Sequence, residues 1–107
     1  MIFNCTITTT YCIVRVTKEG KELGKISIEQ TDKECLLYSL EVSYTKYGVG
    51  LSLIKKAEEK VTKLGYNEVY LYAEKEKWVH EWYKRIGYQD TDELTSDDIY
   101  VKMKKKL

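Results

Sequence analysis

The chain has 107 residues, 43% of them apolar, enough to bury one core and hardly two, so residues 1–107 are expected to form a single domain. Lys and Arg (18) nearly balance Asp and Glu (17), and a net charge of +1 excludes a strong summed pull toward nucleic acid or an anionic membrane. No apolar run approaches the ~18 residues needed to cross a bilayer, and the opening MIFNCTITTT lacks the basic start and cleavage site of a signal peptide.

Ile2 to Thr8 is β-prone, and Tyr11 to Thr17 is rich in β-branched residues. Lys18 to Gly24 supplies the glycines and polar residues of a turn. Leu23 to Gln30 then alternates, with Ile26 and Ile28 on one face, and Gln30 to Glu34 turns again. These runs predict an antiparallel meander. Cys35 to Ser43, CLLYSLEVS, is more continuously apolar and is expected to be a central strand covered on both faces. Cys5, Cys12 and Cys35 are odd in number and lack C-x-x-C spacing, so all three are expected to be small buried hydrophobes in a reducing cytoplasm.

After Ser43 the period changes from two to 3.6. Leu53, Ile54, Ala57, Val61 and Leu64 mark a helix, and Gly65 offers its stop. Asn67 to Ala73 is a strand by its Val and Tyr content. Trp78, Val79, Trp82, Tyr83 and Ile86 mark a second helical stripe ending at Gly87, which leaves the lone His80 on the polar, solvent-facing side. Tyr88 to Gln89 and Ile99 to Met103 give two short strands around the acidic connection Asp90 to Asp98, and the basic end Lys102 to Leu107 reads as a solvated tail. The order is β-β-β-β-α-β-α-β-β, an α/β (α+β) domain with a mixed, mostly antiparallel sheet and two helices.

Between the fourth strand and the first helix lies YTKYGVGLSL, Tyr44 to Leu53. A strand-glycine-helix junction points the free N–H groups of the first helical turn at one spot, where the helix dipole adds about half a positive charge. Phosphate is the natural guest, and glycine lets it approach the backbone closely. Two phosphate loops are excluded. A P-loop needs Gly-Lys-Ser/Thr, but Gly50 is followed by Leu51 and Ser52; a G-x-G-x-x-G fingerprint needs glycine where Leu53 stands. A tight turn without a ligand remains the plain alternative.

The segment VHEWYKRIGY, Val79 to Tyr88, resembles the A-x-x-F-Y-x-K-x-G-F pattern of the GNAT superfamily of acyl-CoA-dependent N-acyltransferases. Val79 stands for Ala, Trp82 for Phe, Tyr83 for Tyr, Arg85 for Lys, Gly87 for Gly and Tyr88 for Phe. YTKYGVGLSLI similarly resembles that family's R/Q-x-x-G-x-G/A loop, one helix and one strand earlier. The resemblance runs from about Cys35 to Tyr88. Without gaps the Arg/Gln position falls on Thr45 and a glycine usual in the family on Lys46, leaving Gly48 and Gly50 as the retained pair; with a shortened loop, Lys46 itself supplies the positive charge. Where the family tends to carry an asparagine for the pantetheine arm, this chain reads EKEKW, Glu74 to Trp78. Typical members insert two helices between their first two strands, whereas only about Thr8 to Thr10 is available here, a minimal version open on the acceptor side.

The resemblance implies acetyl-CoA as cosubstrate and no metal. It implies a pyrophosphate seat on Thr45, Lys46, Tyr47, Gly48, Val49, Gly50 and Leu51, and a pantetheine arm paired along Leu40 to Val42 as an added strand. Glu41 is the candidate base, or else merely pairs with a neighbouring lysine; Glu34, in a turn, is the weaker choice. Tyr83 is the candidate acid at the thioester sulfur, or else a packed core residue. Asp90, Asp92, Glu93, Asp97 and Asp98 would border the acceptor side and draw a cationic amine, a protein lysine or polyamine. The alternative is a non-catalytic GNAT-like protein-binding module, with or without a retained CoA site. Oligomeric state stays open, a homodimer being one way to hide apolar surface left by the missing helices.

Overall fold

The computed structural model describes residues 2–7, 11–43 and 48–107. Strands β1 (Ile2–Ile7), β2 (Tyr11–Lys18), β3 (Lys21–Gln30) and β4 (Cys35–Val42) pair antiparallel in sequence order, as the meander requires. The β2–β3 turn is tighter than the seven-residue run Lys18 to Gly24 implies. Glu19 (φ 52) and Gly20 (φ 78) both take left-handed angles, the two-residue hairpin geometry that matches strand twist, so β3 starts at Lys21. Between β1 and β2 only residues 8–10 are left, too few for an inserted pair of helices.

Helix α1 (Val49–Lys63), β5 (Glu68–Glu74), α2 (Trp78–Arg85), β6 (Gln89–Leu94) and β7 (Tyr100–Lys106) follow. The seven strands form one sheet in the order β1-β2-β3-β4-β5-β7-β6, with β4 and β5 parallel. Both helices end where glycine stops them. Gly65 (φ 98) and Gly87 (φ 108) are left-handed, and the next N–H reaches back, Tyr66 to the Val61 carbonyl at 3.3 Å and Tyr88 to the Tyr83 carbonyl at 3.0 Å.

The core lies on one face of the sheet. Cys12, Ile28, Leu37, Leu71 and Met103 stand in register across five neighbouring strands and are all buried. Leu53, Ile54, Ala57 and Val61 of α1 pack over that face. The other face carries Lys25, Ser27, Tyr38, Glu41 and Tyr72, half-buried or exposed. Thus β4 is central but covered on one side only, and its apolar run overstated its burial because Leu36 and Leu40 sit half-buried between the two environments.

The C-terminal expectations shift most. Gln89–Leu94 is strand rather than loop although its residues have little β preference, because β7 offers a partner edge and the Thr91 hydroxyl donates to the Lys102 carbonyl at 2.8 Å. The basic tail is β7, between β5 and β6, and Lys102 within it is buried. Cys35 is a free buried thiol whose pKa burial pushes up to about 11, which keeps it inert. Cys12 is buried but disulfide-bonded, contrary to the free thiol expected, and the side chain of Cys5 lies outside the described residues.

Gly24 is a requirement that the sequence reading passed over. A Cβ there would stand 2.7 Å from the Glu41 carbonyl oxygen and 2.9 Å from a Leu53 methyl, so the bare position lets the start of α1 close on β3 and β4. Gly24→Ala is expected to destabilise the domain by about 1–3 kcal/mol. Thermal unfolding should show this as a Tm lower by about 4–8 °C for each kcal/mol lost.

Candidate active site

Strands β4 and β5 are joined at Leu36↔Tyr70 and Leu37↔Leu71 and then part. The cause lies in β4. Ser27 pairs with Tyr38 and Lys25 with Glu41, so Ser39 and Leu40 stand opposite Ile26 alone, a bulge in which Ser39 takes φ 53. A bulge bends its strand and raises the local twist, here carrying Leu40, Glu41 and Val42 away from β5. The β5 side of that stretch has no strand partner among the described residues. A cleft of about 220 Å³ opens in the gap, lined among others by Leu40, Tyr72, Glu74, Val79, Tyr83 and Tyr100.

Helix α1 begins at one end of this gap. Gly48 is its N-cap at φ 63, ψ 36, with no side-chain cap and no acidic residue in the first turn. Those first amides are therefore not satisfied by a side chain, and no carboxylate opposes an anion. At Gly50 a Cβ would meet Val42 at 3.6 Å and the Trp82 ring at 3.7 Å, ordinary contacts, so packing does not demand this glycine. Thr45, Lys46 and Tyr47 lie outside the described residues; Val49 is buried and Leu51 half-buried.

Tyr83 is both a core residue and a cleft residue. It is 8% exposed, with its ring 5.2 Å from that of Trp82 and 5.7 Å from that of Tyr88. The glycine stop of α2 makes the second contact, since it folds Tyr88 back over the last turn. Tyr88 is in turn fixed by donating its hydroxyl to Glu58 at 2.8 Å. Burial pushes the Tyr83 phenol above its ordinary pKa, so it stays protonated at neutral pH, and its hydroxyl has no hydrogen-bond partner among the described residues.

The expected carboxylates are distributed otherwise. Glu41 is exposed on the helix-free face and pairs with Lys25 at 3.4 Å. Glu34 is held by Lys102, whose ammonium lies 2.7 and 2.8 Å from its two oxygens, 3.4 Å from Glu93 and 4.7 Å from the Tyr70 ring centre. Burial alone would pull the Lys102 pKa down; its bonds and charge contacts to Glu34 outweigh that and raise it. His80 is buried rather than solvent-facing, with Nε2 2.7 Å from Asp90, and Trp78 is 75% exposed rather than part of the apolar stripe. Helix α2 turns Val79, Trp82 and Tyr83 toward the core and leaves Trp78, its first residue, outside it.

Of the five acids expected to draw an acceptor, Asp90 is engaged by His80 and Lys84, Glu93 by Lys102, and Asp97 by Thr95 and the Ile99 amide. Sequence reasoning missed Ser39, Lys102 and Glu74. An apolar run broken by serine was the one available sign of the bulge.

This strand order, with a bulged β4 splayed from a parallel β5 and glycines at the start of the intervening helix, is the fold of the GNAT-superfamily N-acetyltransferases. Solved structures agree with it. The PaiA N-acetyltransferase of Thermoplasma acidophilum in complex with coenzyme A superimposes with a TM-score of 0.79 at 23% identity, over 92% of this chain and 62% of that one. A GNAT family acetyltransferase of Elizabethkingia anophelis with acetyl-CoA bound gives 0.77 at 15% identity, over 92% and 78%. The ribosomal-protein-S18-alanine N-acetyltransferase of Escherichia coli gives 0.77 at 17%, over 94% and 71%. The chain thus spans less than two thirds of the first of these. No protein-family model and no curated protein matches the sequence.

The Lys102 to Glu34 clip crosses β5 beside the two residue pairs that join β4 to it. Lys102→Ala leaves the half-buried Glu34 carboxylate unpaired and is expected to cost about 1–3 kcal/mol in denaturant unfolding. Lys25→Ala, which frees only an exposed Glu41, should cost less than about 1 kcal/mol.

Proposed function

We propose that the protein is an N-acetyltransferase that moves the acetyl group of acetyl-CoA to a primary amine, a protein lysine or a polyamine. The observation that carries this reading is the splay: a strand edge without a partner at Leu40, Glu41 and Val42, facing a cleft into which Tyr83 projects. An amide-rich pantetheine arm fits that edge as an added strand, and the uncapped amides at Gly48, Val49, Gly50 and Leu51 fit a pyrophosphate, together with Thr45, Lys46 and Tyr47 in either register. The cosubstrate supplies an activated thioester when bound.

The residues of the chain then do three things. The β4 edge and the start of α1 hold the cosubstrate in line with the cleft. Tyr83 donates a hydrogen bond to the departing sulfur. Full proton transfer from a phenol of pKa ~10 to a thiolate of ~8.5 is uphill by about 2 kcal/mol, and burial of Tyr83 makes it more so; hydrogen bonding is its main contribution. Tyr72 and Tyr100, both exposed, border the side from which an amine enters. We expected Glu41 to take the proton, and its ion pair with Lys25 weighs against that.

Use of acetyl-CoA favours the cytoplasm, and no helix among the described residues is long and apolar enough to cross a membrane. The open face, bearing exposed Tyr38 and Tyr72, fits a folded protein acceptor; a homodimer or a purely binding role would use the same surface.

Acetyl-CoA at 100 times Kd is expected to add about 2.7 kcal/mol of apparent stability, read as a rise in Tm against ATP as control. No rise at millimolar ligand would overturn the enzyme reading in favour of the binding module. Tyr83→Phe should keep that rise and lower turnover by about tenfold or more, a hydrogen bond to a charged group being worth about 1.5–3 kcal/mol. Unchanged turnover would remove Tyr83 from the mechanism.

A further inference from the structure

The amine acceptor needs a proton acceptor on the helix-free side of the gap, because α1 and α2 fill the other side. Two carboxylates flank the gap there, Glu41 on β4 and Glu74 on β5. Glu41 is tied to Lys25, has 66% of its side chain exposed and is not among the residues lining the cleft. Glu74 does line it, is half-buried, and has no ion-pair or hydrogen-bond partner among the described residues. Its place is fixed by the sheet: Glu74 is the last residue of β5 and pairs with Tyr100 of β7, one residue beyond the buried Ala73.

Resting on the acetyltransferase reading above, we propose that Glu74 is the proton acceptor for the attacking amine. A lysine-like amine of pKa ~10.4 is neutral in roughly one molecule per 10³ at pH 7, and its nitrogen becomes strongly acidic only as the bond to carbon forms. The lone pair of nitrogen makes the C–N bond to the acetyl carbon, and the N–H proton passes to the Glu74 carboxylate. The C–S bond breaks with its electron pair left on sulfur, which accepts the Tyr83 hydrogen bond. The proton on Glu74 is released through water to the thiolate, so the products are the amide and the thiol. The charged and titratable groups around Glu74 are Tyr38, Tyr72, Tyr83 and Tyr100 in the cleft, and Lys75, Glu76 and Asp98 at its outer mouth.

The test compares wild type, Glu74→Gln, Glu74→Asp and the neighbouring Glu76→Gln with spermidine and polylysine as amine probes, following thiol release. Glu74→Gln should lower kcat at pH 7 by about 10²-fold with KM for acetyl-CoA unchanged, Glu74→Asp should recover part of it, and Glu76→Gln should behave as wild type. The Gln deficit should shrink as pH rises toward ~10, where more of the amine is neutral and hydroxide can take the N–H proton in place of the carboxylate. Independently of turnover, calorimetric titration of the CoA-free protein with spermidine should show weaker binding to Glu74→Gln by about fivefold, as loss of an ion pair worth about 1 kcal/mol predicts. A kcat within twofold of wild type, or a deficit that does not change with pH, overturns the role of Glu74 while leaving the acetyltransferase reading in place. No thermal shift with acetyl-CoA overturns both. Thermal stabilisation by acetyl-CoA without thiol release from either amine overturns Glu74 as acceptor for aliphatic amines.

Discussion

The structure turns on the bulge at Ser39 and Leu40. One extra residue in β4 against Ile26 of β3 bends the strand just after its second pair with β5, and everything that makes a site follows from the resulting gap. A straight β4 would have continued the ladder and sealed its edge with hydrogen bonds. The left-handed angle at Ser39 is a local strain that the flanking β3 pairing holds in place.

A sheet parted at its centre must be held elsewhere. Buried Lys102 and half-buried Glu34 clip β7 to the start of β4 on the helix-free face, and the apolar row from Cys12 to Met103 does so on the other. The glycine stop of α2 then places Tyr83 at the cleft. Folding Tyr88 back beneath Tyr83 and tying its hydroxyl to Glu58 lets α2 present one phenol to the cleft from a rigid base. Gly24 completes the arrangement from beneath, since the backbone of Glu41 and the side chain of Leu53 occupy the space that any other residue would need.

The helix-free face sets the domain apart from a sheet with layers on both sides. With residues 8–10 alone between β1 and β2, Tyr38 and Tyr72 stay exposed, and the neighbouring carboxylates divide into engaged and unengaged groups. Glu34, Asp90 and Glu93 are bound to Lys102, His80 or Lys84, whereas Glu74 keeps its carboxylate free in the cleft among the described residues. That division, rather than the number of acids, decides which of them can take part in chemistry.

Periodicity and punctuation made the element order and both helix ends legible in the sequence, because Gly65 and Gly87 sit where only glycine readily takes a left-handed angle, and because Tyr83 and the Gly48 and Gly50 pair are local motifs. Residues that act through partners distant along the chain were not legible. His80 read as solvent-facing because Asp90 closes over it from β6, Lys102 read as a tail because Glu34 lies 68 positions away, and β6 read as a loop because its strand character comes from pairing rather than propensity. Glu41 and Glu74 look alike in one dimension. Local sequence determined which segments are helix and strand and where they stop, since those depend on near-neighbour sterics and hydrogen bonds; only the tertiary structure decided which carboxylate is neutralised by a lysine and which faces the gap, because that depends on register across strands.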